Sequence, residues 1–81
     1  MLKKRDKVYI ILQAYRPGDD EKLIEQVAFL TKVDATKFLK GYINSRDYLK
    51  IIDKEGDTTW VQSQLGKKAI WFYKISWIRV F

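Results

Sequence analysis

The sequence contains no cysteine and no histidine, and only one proline and four glycines in 81 residues. Without cysteine there is no disulfide framework, no thiolate zinc site and no thiol nucleophile. Without histidine the commonest general base and the commonest metal ligand are both missing. Ser45, Ser63 and Ser76 therefore have no imidazole to activate them. Lys37–Lys40 and Lys67-Lys68 have no glycine-rich phosphate loop beside them. The acids fall in two groups, Asp19, Asp20 and Glu21 at an expected helix start and Asp53, Glu55 and Asp57 at an expected turn, where capping and solubility account for them. The second group does not follow the EF-hand pattern. These absences predict a protein that is not an enzyme and carries no cofactor or metal.

Long hydrophobic runs are missing too. Basic Met1–Lys7 followed by Val8–Leu12 has the outline of a signal peptide, but the apolar stretch is five residues long. Gln13 and Arg16 follow it, with no small-residue cleavage site. Ala69–Tyr73 and Ile75–Phe81 are strongly apolar, yet Lys74 and Arg79 break them well short of the roughly 20 residues that span a bilayer. The expectation is a soluble, cytoplasmic chain with no membrane partner.

What is present is a basic, foldable composition: 47% hydrophobic residues, 15% aromatic and a net charge of +6. Such a chain is not a disordered tail. Its length suits one small core, so residues 1–81 form a single domain. Arg16-Pro17-Gly18-Asp19 and Lys54-Glu55-Gly56-Asp57 punctuate it. Three segments with helical period lie before the second break. Val8, Ile11, Leu12 and Tyr15 carry the first. Leu23, Ile24, Val27, Leu30 and Thr31 carry the second, capped by Asp19 or Asp20. Phe38, Leu39, Tyr42 and Ile43 carry the third, over 34–46 with Asp34 as cap. The short Thr31–Val33 connection sets the second and third as a helix-turn-helix pair. Tyr48–Ile52 and Thr58–Gln62 read as a hairpin around Gly56-Asp57. A last helix capped by Ser63 runs from Gln64 to about Val80, with Ala69, Ile70, Tyr73, Trp77 and Val80 on one side. The same stretch is rich in strand formers, and Gly66-Lys67-Lys68 offers a turn into a third strand instead.

With the last segment helical, this order is α+β, mainly α: three helices, a two-stranded β-hairpin wing and a C-terminal helix. It resembles a winged helix-turn-helix DNA-binding domain, nearest to the MarR-type and PadR-type regulators. Those families enter the helix after the wing through Leu-Thr-x-x-Gly and basic residues. Gln62-Ser63-Gln64-Leu65-Gly66-Lys67-Lys68 is similar to that signature, and the resemblance covers about Asp20 to Lys68. It implies a regulator of transcription that reads double-stranded DNA with its third helix.

On a helical wheel, Thr36, Lys37, Lys40, Gly41 and Asn44 gather opposite the apolar stripe. Lysine suits guanine edges or phosphates, asparagine suits adenine, and a bare glycine permits close approach. An ordinary solvated face would look the same from the wheel alone. Residues 32–50 carry five basic and two acidic side chains, the balance that phosphate binding requires. Lys32, Arg46, Lys50 and the cluster Lys3, Lys4, Arg5 and Lys7 complete the phosphate candidates. The hairpin tip is acidic and is not expected to grip DNA. Surplus apolar residues, Phe29 among them, point to a homodimer with Ile10, Trp71, Ile75, Trp77 and Ile78 at its interface and 67–81 as the pairing segment. The competing reading is a winged-helix module that binds a protein and no DNA.

Overall fold

Lys7–Ala14 forms a strand, β1, where the helical spacing of Val8, Ile11, Leu12 and Tyr15 predicts a helix. In the computed structural model, which describes residues 7–25 and 27–79, the elements that follow are β2 (Lys22–Leu23), α1 (Lys32–Asn44), β3 (Leu49–Glu55), β4 (Thr58–Ser63) and β5 (Ile70–Arg79). The strands make one antiparallel sheet in the order β2-β1-β5-β4-β3. The fold is mainly β, with a single helix among the described residues, so the mainly-α winged helix-turn-helix arrangement is not what this chain forms. Lys3, Lys4, Arg5, Gln26 and Val80 lie outside the described residues.

Each departure has a local cause. Val8–Leu12 is one unbroken apolar run, so a period of 3.6 can be read into it as easily as a period of 2. Its β-branched and aromatic residues settle the choice for the strand. In the second expected helix, Glu25 takes a left-handed backbone (φ 55°) that stops any helix there. Phe29 instead exchanges two backbone hydrogen bonds with Tyr9, at 2.7 and 2.8 Å, and Ile24 N–H donates to the Ile11 carbonyl. A helix of about 12 residues is marginal alone, and pairing with β1 outcompetes it. No helix-turn-helix pair is therefore present among the described residues.

At the C-terminal end the strand alternative wins. The Ser63 hydroxyl does satisfy a nearby N–H, but it accepts from Leu65 at 3.1 Å within a turn. Gly66 and Lys68 both take positive φ, and Lys68 N–H closes the turn on the Leu65 carbonyl. The Ser-x-x-Gly pattern thus works as a corner and not as a helix start. β5 then enters the middle of the sheet, between β1 and β4, so 70–79 is a central strand and not an appended pairing segment.

Helix α1 covers one face of the sheet. Its Ala35, Leu39 and Ile43 pack with Ile11, Ile24, Val61, Tyr73 and Ile75 in a single core. Phe38 stacks between Phe29 and Tyr42, and Tyr42 meets Tyr73 edge-on at 5.7 Å. No element lies over the opposite face among the described residues. Strand register places Val8, Ile10, Leu12 and Ala14 of β1 there, beside Ile78, Ser76, Lys74 and Phe72 of β5. Trp60 of β4 joins them, its ring 4.8 Å from Phe72.

Candidate nucleic-acid interface

The interface is built on α1. Thr31 starts the helix: its hydroxyl accepts the Asp34 N–H at 3.1 Å, so Thr31 is the cap and Asp34 sits in the first turn. There its charge favours the positive end of the helix dipole. At the other end Ser45 N–H donates to the Gly41 carbonyl, and Arg46 donates from Nη1 to the Tyr42 carbonyl at 2.9 Å. The Arg46 guanidinium also lies 3.6 Å from the centre of the Tyr42 ring. Its cation thus satisfies the negative end of the helix and stacks on an aromatic face.

Burial of Ala35, Leu39 and Ile43 fixes the rotation of the helix, and the opposite side is left to solvent. Thr36, Lys37, Lys40, Gly41 and Asn44 are all exposed along it. Val33, 63% exposed, shares this outer face. Gly41 has no atom within 4 Å of where a Cβ would stand, so no neighbour requires a glycine. The Thr36 hydroxyl is turned back onto the Lys32 carbonyl at 2.9 Å, which leaves its oxygen free to accept.

Two depressions flank the helix. One, of about 210 Å³, lies between α1 and the β3–β4 hairpin. Leu39, Ile43, Ile51 and Ile75 line its apolar part, and Lys40, Lys54, Thr36 and Asp57 its polar part. The other is shallow and places Lys37, Gly41 and Arg46 beside Glu25. Among the described residues Lys37, Lys40 and Lys54 enter no ion pair, whereas Lys32, Lys74 and Arg16 face Asp57, Glu21 and Asp19.

No protein-family model, curated protein or solved structure matches this chain. The interface therefore rests on its own geometry.

The structure brings together part of the set read from the sequence and disperses the rest. Thr36, Lys37, Lys40, Gly41 and Asn44 share one face. Lys32 is held by Asp57 at 2.8 Å, a contact that raises its pKa mainly through the hydrogen bond and then through the carboxylate charge. Arg46 is engaged at the helix end. Lys50 pairs with Gln62 and belongs to the open side of the sheet, away from α1. Of the expected dimer residues, Ile10 and Ile78 lie on the open face. Ile75 is in the core, while Trp71 and Trp77 are on the helix side, Trp77 beneath the Lys7 ammonium.

Sequence reasoning missed Lys54. Register shifts between Ile51 and Asp53, so Asp53 stands opposite Trp60 and Lys54 opposite Thr59. A regular ladder would have turned Lys54 to the open side. The bulge turns it toward Lys40, and nothing in the sequence marks that extra residue. Val33 falls in the Thr31–Val33 connection that the sequence predicts, whereas α1 begins at Lys32 and takes it into the helix. The acids of the hairpin tip are dispersed, with Asp57 on Lys32 and Asp53 on the side of Trp60, and no group of three acids among the described residues could hold a metal ion. No helix among the described residues is long and apolar enough to cross a membrane.

Proposed function

We propose that this protein binds double-stranded DNA through the outer face of α1. The observation that carries the reading is the grouping of Lys37, Lys40 and Asn44 on the exposed side of α1, with Lys54 beside them and no carboxylate pairing the lysines among the described residues. A helix of 13 residues is about 20 Å long, and a helix with its side chains fits a major groove about 12 Å wide. Lys37 and Lys40 would neutralise phosphates or read guanine, Asn44 would read adenine, and Val33 would meet a thymine methyl. The hairpin enters through Lys54 from its side and not through its acidic tip. A preferred site would make the protein a regulator of transcription, whereas uniform binding would make it a packaging protein.

Fluorescence anisotropy of a labelled random duplex at about 50 mM and about 200 mM salt tests this, since phosphate-based binding weakens steeply over that range. The Lys37→Ala/Lys40→Ala double variant should lower the salt slope by about two and weaken binding by at least about tenfold. Asn44→Ala should instead relax preference at one base pair, by about 1–3 kcal/mol. An unchanged affinity in the double lysine variant would remove α1 from the interface. No binding at the lower salt would leave a protein-interaction module, which the apolar open face of the sheet favours.

A further inference from the structure

The side of the sheet away from α1 carries the least explained chemistry in the molecule. Val8, Ile10 and Leu12 are half-buried along β1, and Ile78 is 47% exposed on the neighbouring strand. Half-buried Trp60 continues the apolar surface toward β4, its ring packed on Phe72, which is itself already buried. An antiparallel sheet with one face in water alternates apolar and polar residues along each strand. β4 follows this only in part, with Thr58 and Gln62 flanking Trp60 on the open side. β1 does not, because both of its faces are apolar, the pattern of a strand covered twice. Contiguous exposed apolar surface of this kind marks an interaction site.

We propose that a second copy of this chain covers the open face, sheet against sheet. Charge favours that occupant. Lys74 is neutralised on this face by Glu21 at 2.8 Å, and Lys50, Asp53 and Glu55 nearly balance at its β3 rim. In a chain of net charge +6 this face alone is close to neutral, so it selects neither a polyanion nor a strongly basic partner, and a copy meets it without repulsion. Size also fits. At about 3.4 Å per residue and about 4.8 Å between strands, the four long strands present about 500 Å² in projection, more with side-chain relief, and stable pairs begin near about 600 Å² per partner. An apolar centre on β1 and β5 with a polar rim on β3 and β4 is the usual anatomy of such an interface.

Ser76 is the test position. It lies opposite Ile10 on the open face, and its side chain is small and half-buried. Sedimentation equilibrium of the full chain should give twice the chain mass. Ser76→Glu should halve it while circular dichroism stays as in the parent and the melting temperature loses its dependence on protein concentration. Lys37→Ala/Lys40→Ala should leave the dimer intact, so loss of DNA binding and loss of pairing are read separately. A parent that is a monomer at every concentration, or a Ser76→Glu variant that remains a dimer, would overturn the proposal. So would a monomer that floats with phosphatidylglycerol vesicles, which would give the face to a lipid surface. Should Ser76→Glu fail to fold, a nitroxide on Ser76→Cys, the only cysteine in such a chain, decides the matter. Sheets about 10 Å apart hold the two labels within about 20 Å, and a longer distance or none would rule the arrangement out.

Discussion

Gly41 is the residue at which stability and contact can be separated. Its site is open and its backbone is helical, so Ala would fit and would remove the flexibility that glycine brings to a helix. Gly41→Ala is expected to stabilise the protein by about 1 kcal/mol, about 4–8 °C in melting temperature for a domain this small. If DNA affinity falls while the melting temperature rises, the bare backbone at Gly41 is itself a contact surface. Tyr73 shows a second residue-scale effect. Burial beside the core raises its phenol above the ordinary value, and the Asp57 contact raises the Lys32 ammonium in the same direction. Both groups hold their protons more tightly when folded. Their contribution is fully present below about pH 10 and is lost as pH rises through the folded values. Urea midpoints should therefore be level near neutrality and fall in alkali, and Tyr73→Phe should flatten part of that fall. An equally steep fall in the Phe variant would exclude Tyr73 as a source.

Among the elements, α1 is the one whose start rests on a side-chain cap. Thr31→Ala removes the hydroxyl that accepts the Asp34 N–H and should cost about 1 kcal/mol, whereas Asp34→Ala loses only a favourable charge in the first turn, worth about 0.3–1 kcal/mol. Chemical denaturation of the two variants ranks them, and the reverse order would return the cap to Asp34. The same helix was the most legible part of the sequence. Phe38, Leu39, Tyr42 and Ile43 stand against a polar opposite side, so period and burial agree, and the expected 34–46 lies two residues from the observed 32–44 at each end. The Gly56-Asp57 tip was legible for a similar reason, since Gly56 supplies the positive φ of the turn. β1 and β5 were not. A strand with two apolar faces shows no alternation, and Val8–Leu12 and Ile70–Tyr73 then satisfy a helical template by density alone. The segment 19–31 misled differently, because Leu23, Ile24 and Val27 have helical spacing while the pairing of Phe29 with Tyr9 depends on a strand that local pattern did not reveal. The outer face of α1 followed from the helix being right. The removal of Lys50 from it and the addition of Lys54 followed from strand register and a bulge, which only the paired sheet defines.

At the scale of the whole molecule, charge and apolar surface are segregated. The helix side carries Lys37, Lys40, Lys54 and Arg46, and the open side is apolar and nearly neutral. High salt should therefore weaken DNA binding without loosening a sheet-to-sheet pair, and should tighten that pair if anything. Sedimentation and anisotropy run across the same salt series check this, and parallel weakening of both would mean that one surface serves both roles. Because α1 lies on the far side of its own sheet, stacking two sheets face to face turns the two helices outward in opposite directions, about 30 Å apart at about 10 Å per layer. Such a particle cannot lay both helices along one duplex as neighbouring half-sites. With α1 as the DNA-binding face it would have two binding poles, and it would hold two duplexes side by side or close a loop between distant stretches of one. Long DNA should then sediment at low speed near one dimer for every two binding sites and redissolve when protein is in excess and each duplex is separately coated. Ser76→Glu should coat DNA without ever cross-linking it.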